Sequence, residues 1–178
     1  MGDSDTTLKS RNELAQKFHG VCIELGVAKG VFSDTILTNL NVRLLYSIDR
    51  WADHHDVKEY VQAATLLARS GFRSIVLRAD FDEVLPLFAD ASIDCIYLDA
   101  YAHLGQGGGK YLDDWWPKIK PGGIFSGHDY SASRFPKTFE MVNQFVARHG
   151  LEISTTKEVI LPSWFVRKPA LDVEAAKG

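Results

Sequence analysis

Short apolar runs alternate with amphipathic helical patterns along most of this chain, and that alternation limits the folds it can adopt. The strand-like runs before residue 100 are 21–25, 44–48, 74–77 and 93–98. Each is followed by a stretch with helical spacing or composition, at 31–40, 57–68, 81–88 and 110–116. Strands that alternate with helices in this way predict a doubly wound α/β sheet with mostly parallel strands.

The last third of the chain departs from simple alternation. A turn at Pro121-Gly122-Gly123 leads into a strand over 124–126, and a helix is predicted over 135–146. The final strands, 151–154 and 163–166, leave no room for a helix between them. We therefore expect these two strands to pair antiparallel through a hairpin around Pro162.

Length and charge restrict the class of protein further. The 178 residues fit one domain over 1–178, with a core over about 20–168 and a frayed tail at 170–178. The net charge of −3 argues against a nucleic-acid partner, and no apolar run reaches the roughly 18 residues of a membrane span. Cys22 and Cys95 lie inside apolar runs, which is typical of buried thiols in a reducing, cytoplasmic protein.

The turn after the first strand carries two glycines, Gly26 and Gly30. Glycine permits a tight turn and a close approach of the backbone to a ligand, and the N-terminus of the next helix favours an anionic group. A plain strand-turn-helix explains the same residues. The dinucleotide fingerprint Gly-x-Gly-x-x-Gly is incomplete because position 28 is alanine, which disfavours NAD.

Four predicted strands are followed by aspartates, at positions 49, 80, 99 and 129. Ligands of open α/β sheets bind beyond the carboxyl ends of the strands, so these carboxylates predict a polar site. Asp49 follows the glycine turn by about 20 residues, where ribose hydroxyls bind in such folds. Asp49 as a helix cap and Trp51 as a core residue are equally consistent with this segment alone.

Several of these segments together resemble class I S-adenosylmethionine-dependent methyltransferases. The matching motifs are Glu24-Leu25-Gly26 with Gly30, Ile48-Asp49-x-Trp51, Leu98-Asp99, and the block from Trp115-Trp116-Pro117 through Pro121-Gly122-Gly123 to Gly127-His128-Asp129-Tyr130. The small bacterial enzymes whose motif ends in Gly-His-Asp-Tyr are the most similar subgroup. The resemblance covers about residues 20–168 and implies a Rossmann-like seven-stranded sheet with an antiparallel last strand.

The resemblance also implies a role for each matching residue. Residues bordering the methionine half of the cofactor would be Glu24, Gly26 and Gly30. Asp49 would bind the ribose and Trp51 would lie near the adenine, whose edge would meet Asp80 and the backbone at Phe81. Asp99 would lie near the methionine ammonium and the reacting methyl group.

One segment departs from the family pattern. Relatives usually carry Asp-x-x-His-x-Tyr after the fourth strand, whereas Asp99 is separated from His103 by one extra residue, and Gly105 replaces the tyrosine. A glycine-rich stretch, 105–109, follows. We expect the entrance to the substrate site to be altered here, with 105–109 as a mobile gate.

We expect methyl transfer to a hydroxyl group of a small molecule or sugar. A hydroxyl acceptor needs a base or a metal that lowers its pKa. His128 or His103 is a candidate base, with Asp99 beside the reacting methyl. Alternatively, Asp99 and Asp129 with His128 hold a divalent ion such as Mg²⁺, although an imidazole suits other metals better.

Two other functions remain open at this point: an NAD-dependent oxidoreductase, and a non-catalytic protein that keeps cofactor binding. About 20 residues precede the first strand, too few for a large lid. We therefore expect an acceptor site that is open or is completed by a neighbouring subunit of a homo-oligomer.

Overall fold

A computed structural model describes residues 8–170, which form a seven-stranded sheet flanked by helices. The strands are β1 (Gly20–Leu25), β2 (Val42–Asp49), β3 (Ser74–Arg78), β4 (Ile93–Leu98), β5 (Ile119–Gly127), β6 (Ser154–Thr155) and β7 (Trp164–Arg167). The helices are α1 (Arg11–Ala15), α2 (Val31–Thr38), α3 (Val57–Leu67), α4 (Phe81–Val84), α5 (Gly105–Gly108), α6 (Lys110–Trp115) and α7 (Pro136–His149). Short 3-10 turns occupy Ala68–Arg73, Leu85–Leu87, Ala102–Leu104 and Trp116–Lys118.

The strand order is β3-β2-β1-β4-β5-β7-β6. The first five strands pair in parallel, and β7 pairs antiparallel with both β5 and β6. This arrangement confirms the predicted Rossmann-like sheet and its antiparallel hairpin. The order reverses between β1 and β4, and such a switch point opens a crevice beyond the carboxyl ends of the strands.

Side chains cover the sheet on both faces. Along β1, Cys22 belongs to one hydrophobic cluster and Ile23 to another; along β4, Tyr97 and Ile96 divide in the same way. Successive strand residues point to opposite faces, so the two clusters lie on opposite sides of the sheet. Burial on both faces explains why these strands appear in the sequence as continuous apolar runs.

Some element boundaries differ from the prediction. The predicted turn at Pro121-Gly122-Gly123 is an irregularity inside β5, where Gly122 adopts φ 80° and its N–H donates to the Lys168 carbonyl at 2.8 Å. The helix predicted over 81–88 ends as a 3-10 turn, in which Pro86 has no N–H for a longer helix. The strand predicted over 151–154 is only two residues long, Ser154–Thr155.

Within residues 8–170, no helix is long and apolar enough to cross a bilayer. The frayed tail predicted at 170–178 lies, apart from its first residue, outside the described residues. Both cysteines are buried free thiols, as their apolar surroundings predict.

Candidate active site

Two adjoining cavities lie at the carboxyl edge of the sheet. The first encloses about 440 Å³ and the second about 400 Å³. Residues Gly26, His55 and Asp99 line both of them. Asp99, directly after β4, therefore stands where the two cavities meet.

The two glycines after β1 serve different purposes. Gly26 has φ 92°, and a Cβ atom there would lie 2.2 Å from the Asp99 carbonyl oxygen. Only glycine allows this close approach between the ends of β1 and β4. Gly30, at φ 80°, caps α2 and faces α3, where a Cβ atom would meet Ala63 at 3.1 Å. Gly30 thus packs two helices together, and it lines neither cavity.

Asp49 lines the first cavity and also organises the turn after β1. Its Oδ2 accepts hydrogen bonds from the N–H groups of Val27 at 2.8 Å and Ala28 at 3.0 Å. Its Oδ1 accepts from the Trp51 N–H at 3.1 Å. The carboxylate therefore holds the loops after β1 and β2 together.

The structure places Trp51 away from the cavity walls. Its indole is 1% exposed, packs against Tyr60 at 5.0 Å between ring centroids, and donates from Nε1 to the Ala28 carbonyl at 2.8 Å. The ring therefore supports the turn from beneath, which matches the core alternative for this residue rather than an adenine contact.

Asp80 and Phe81 begin α4 at the end of β3. Asp80 caps the helix in a capping box with Glu83, and it pairs with the Arg50 Nε at 3.1 Å. Phe81 lines the first cavity and makes an edge contact with Tyr101. Of the two predicted adenine contacts, Phe81 is the one on the cavity wall.

Glu24 is a fully buried acid on the wall of the second cavity. Burial raises its pKa to about 8, although a hydrogen bond from the Ser33 hydroxyl favours the ionised form. The nearby Asp99 raises the pKa further, and Arg11 lowers it. Burial therefore favours the neutral form of the Glu24 carboxyl group.

The structure brings three of the predicted residues together at the ends of β4 and β5. His128 Nδ1 lies 3.1 Å from Asp129 Oδ1 and 3.6 Å from Asp99 Oδ1. Three donor atoms, one from each residue, lie within 4.8 Å of one another. We call these residues the carboxylate–histidine cluster.

Burial and charge act against each other in this cluster. Burial raises the pKa of Asp99, while the facing His128 lowers it. Burial alone would disfavour a charged imidazole, but the bond to Asp129 and the charge of Asp99 raise the pKa of His128 above its ordinary value. These opposed effects allow the two carboxylates and the imidazole to share a proton.

His103 and the glycine-rich stretch lie on other parts of the site. His103 is exposed in the 3-10 turn after β4, lines the first cavity and packs against the Phe135 ring at 4.8 Å. The stretch 105–109 forms a left-handed turn that lines neither cavity. A Cβ atom on Gly105 would lie 2.8 Å from Met141 Cγ, so this turn packs tightly against α7.

Sequence patterns did not reveal Arg11, which lines the second cavity. Its Nη1 lies 3.3 Å from Asp99 Oδ2, and its guanidinium lies over the Phe32 ring at 4.8 Å. The available signal was the Ser10-x-x-Glu13 pattern of a helix start just before β1. Ser10 does cap α1 by accepting from the Glu13 N–H.

Comparison with known proteins gives the same architecture. Residues 23–130, more than half of the chain, match the family model described as a methyltransferase domain. An O-methyltransferase from Bacillus cereus in complex with S-adenosylhomocysteine aligns with a TM-score of 0.65 at 14% identity, over 94% of this chain and 83% of that one. A SAM-dependent O-methyltransferase from Thermotoga maritima aligns with a TM-score of 0.65 at 14% identity, over 90% and 63%. A precorrin-6y C5,15-methyltransferase from Geobacter metallireducens reaches 0.67 at 12% identity, over 89% and 86%.

At these identities the solved structures establish a shared fold only, and a sequence search of curated proteins finds no match. The match over 23–130, together with the seven-stranded sheet and its antiparallel end, identifies the class as S-adenosylmethionine-dependent methyltransferases of class I. The chain belongs to the family of methyltransferase domains, as the match over 23–130 shows.

Proposed function

We propose that this protein transfers a methyl group from S-adenosylmethionine to a hydroxyl oxygen of a small molecule. The observation that carries the proposal is the carboxylate–histidine cluster of Asp99, His128 and Asp129, in which Asp99 lines both cavities and Asp129 lines the first. A hydroxyl acceptor has to lose its proton as the new bond forms, and a base supplies that step. An amine or thiol acceptor depends less on such a group.

The residues around the cavities suit the two halves of the cofactor. Asp49 and Phe81 on the first cavity provide a carboxylate and an aromatic edge for a nucleoside. Glu24 and Gly26 border the second cavity, whose polar wall suits an amino-acid group. When bound, S-adenosylmethionine supplies an electrophilic methyl group on a positively charged sulfonium. Glu24, Asp99 and Asp129 place acidic groups on both sides of the cavity junction.

The cluster can accept the proton of the hydroxyl group. Asp99 and Asp129 line the first cavity, and His128 lies behind them in contact with both carboxylates. A proton taken up by a carboxylate or by the imidazole is shared within the cluster, because opposite charges stabilise the imidazolium. His103, exposed on the wall of the first cavity beside Phe135, serves to bind the acceptor in this proposal.

The same donor atoms fit a divalent cation less well. Two carboxylates suit Mg²⁺, but a neutral imidazole ligand suits zinc, nickel or iron better. Arg11 also faces Asp99, so a cationic group of the chain already balances one of the two carboxylates. A metal ion would displace at least part of this arrangement. We therefore favour proton acceptance by the cluster over Mg²⁺.

The first test is calorimetric titration with S-adenosylhomocysteine, with and without Mg²⁺, and with NAD as the control ligand. Binding of the nucleoside but not of NAD supports the proposal. Transfer of a labelled methyl group is then followed with a set of hydroxyl compounds and their amine and thiol counterparts. We expect products from hydroxyl compounds; transfer only to amines or thiols would contradict the proposal.

A pair of histidine variants tests the role of the cluster. His128→Gln should retain binding of S-adenosylhomocysteine and lose most of the methyl transfer. His149→Gln, at the end of α7 and outside both cavities, is the matched control and should remain active. Activity that EDTA abolishes and Mg²⁺ restores would instead establish the metal site.

A further inference from the structure

The two cysteines of the chain lie side by side on the central strands of the sheet. Cys22 of β1 and Cys95 of β4 are directly paired in the parallel register of these strands. Both side chains are buried and belong to the same hydrophobic cluster, so they lie on the same face of the sheet. Neighbouring strands are about 4.8 Å apart, and the Cα atoms of a disulfide are separated by roughly 4.4 to 6.8 Å. The backbone therefore holds the two residues at a separation that a disulfide bond can span.

One residue, His19, contacts both thiols. The Cys22 Sγ donates to the His19 carbonyl oxygen at 3.3 Å, and the Cys95 Sγ lies 3.9 Å from the same oxygen. The His19 Nδ1 lies 4.0 Å from the Cys95 Sγ. His19 is exposed in the turn between α1 and β1, whereas both thiols are buried. Its imidazole is thus a polar side chain that connects the thiol pair to the solvent.

The surroundings of the pair favour ionisation of one thiol over the other. A hydrogen bond from the Cys22 thiol lowers the pKa of Cys95, and the same hydrogen bond raises the pKa of Cys22. The Asp94 carboxylate opposes ionisation of Cys95, but the Lys120 Nζ binds this carboxylate at 2.7 Å. A thiolate beside a second thiol provides the attacking sulfur and the resolving sulfur that reversible oxidation needs.

We propose that Cys22 and Cys95 form a reversible disulfide on exposure to hydrogen peroxide, with His19 taking up the proton of the Cys95 thiol. The Cys95 sulfur attacks one peroxide oxygen, so an S–O bond forms and the O–O bond breaks. The hydroxide that leaves receives the proton from His19 and becomes water. The Cys22 sulfur then attacks Cys95, so the S–S bond forms and the S–O bond breaks. The second hydroxide takes the Cys22 proton, and the peroxide has been reduced to water while the two thiols are oxidised.

The bond would act on the candidate active site through the two strands. Closing it draws β1 and β4 together, because the Cβ atoms of a disulfide are only about 3.8 Å apart. The ends of these strands have no free space: the Asp99 N–H donates to the Leu25 carbonyl at 2.8 Å, and a Cβ atom on Gly26 would meet the Asp99 carbonyl. The oxidised protein should therefore bind S-adenosylhomocysteine several-fold less tightly, a consequence that rests on the proposed function. Strain of this kind also makes a disulfide easy to reduce.

Mass spectrometry of the full chain tests the disulfide. The reduced, folded protein is exposed to hydrogen peroxide, the remaining thiols are blocked with iodoacetamide in urea, and the chain is digested without reductant. We expect a pair of peptides joined through Cys22 and Cys95, which dithiothreitol separates. Recovery of both cysteines in the iodoacetamide-blocked form would overturn the proposal. A disulfide that forms only between two different chains would overturn it as well.

Single substitutions separate the roles of the three residues. Cys22→Ala should stop the oxidation of Cys95 at the sulfenic acid, which dimedone traps. His19→Gln should slow disulfide formation several-fold, and an unchanged rate would remove His19 from the reaction. His149→Gln is the matched control and should react at the wild-type rate, because His149 is also exposed but packs against Phe145, which belongs to the other hydrophobic cluster. Thermal melting under reducing conditions checks that each variant is folded.

Calorimetric titration with S-adenosylhomocysteine tests the effect on the site. Weaker binding by the oxidised wild-type protein, restored by dithiothreitol and absent from peroxide-treated Cys95→Ala, supports the proposal. Equal affinity of the oxidised and reduced proteins would overturn the effect on the site. No binding by the reduced protein would overturn the proposed function, whereas the disulfide would still stand or fall by mass spectrometry alone.

Discussion

Replacing Glu24 by glutamine should stabilise the free protein, and the effect should grow with pH. The folded-state pKa of Glu24 is about 8, whereas its ordinary value is 4.5. Between these values the folded protein holds one proton that the unfolded chain has lost, so stability falls as pH rises. The slope is about 1.4 kcal/mol per pH unit. This loss of stability starts near pH 4.5 and is complete above pH 8.

Glutamine has nearly the same shape as protonated glutamate, accepts the Ser33 hydrogen bond and does not ionise. The free energy of unfolding of Glu24→Gln, relative to wild type, should therefore increase by about 2 to 3 kcal/mol between pH 5 and pH 7. Any constant difference in packing cancels in this comparison. Urea denaturation at both pH values, followed by tryptophan fluorescence, measures it.

Glu140→Gln, on the exposed surface of α7, is the control and should shift the unfolding curve equally at the two pH values. A Glu24→Gln advantage that does not change with pH would refute the reasoning, because the argument depends on proton uptake by the folded state. A variant that becomes less stable than wild type as pH rises would show that Glu24 is ionised and well paired in the free protein.

Three further substitutions test individual contacts of the site. Asp49→Ala should weaken binding of S-adenosylhomocysteine about tenfold or more, on the order of 1.4 kcal/mol; unchanged affinity in calorimetry would remove Asp49 from the site. Gly26→Ala should lower the free energy of unfolding by about 2 kcal/mol more than Gly150→Ala does. Both glycines have a positive φ, but only at Gly26 would the added Cβ atom meet backbone atoms. Chemical denaturation of the two variants measures the difference. Trp51→Phe should lower the free energy of unfolding by about 1 kcal/mol, because the indole hydrogen bond is lost. The affinity for S-adenosylhomocysteine should stay unchanged in this variant. A weaker affinity would instead indicate that the indole contacts the adenine.

The positions of the site residues along the chain were predictable because strand ends are visible in the sequence. Asp49, Asp99 and Asp129 follow β2, β4 and β5, and parallel strands bring their carboxyl ends to one edge. The hairpin of β6 and β7 was predictable because too few residues separate the two strands for a helix. Boundaries were less accurate where a proline or glycine interrupts an element, as at Gly122 inside β5.

The direction in which a loop residue points was not predictable. Trp51 and Gly30 occupy the expected positions after β2 and β1, yet both face the packed interior of the loops. Backbone dihedral angles in a turn decide this direction, and the local sequence does not specify them. The stretch 105–109 illustrates the same point, because its glycines allow close packing against Met141, which the sequence did not indicate. Arg11 was missed because the Ser10-x-x-Glu13 pattern marks the start of α1 but does not indicate which side chain of this helix reaches the cavity.

Backbone strain is concentrated at the edge where the cavities lie. Four loops each contain a non-glycine residue in the left-handed region: Ala28 after β1 (φ 48°), Trp51 after β2 (φ 46°), Tyr101 after β4 (φ 54°) and Asp129 after β5 (φ 59°). Each such residue costs about 1 to 2 kcal/mol. Strain that recurs at the end of four neighbouring strands points to a function of that edge, because surrounding contacts must maintain it.

Those contacts are present in the structure. The Asp49 carboxylate binds the N–H groups of both Ala28 and Trp51, and the Trp51 indole binds the Ala28 carbonyl. The loops after β1 and β2 are thereby held in one arrangement before a ligand arrives, which lowers the ordering cost of binding. Glu24 adds a second local cost, since a buried acid is disfavoured in the free protein at neutral pH. A bound cation beside Glu24 would favour its ionised form, so a positively charged cofactor would offset this second cost.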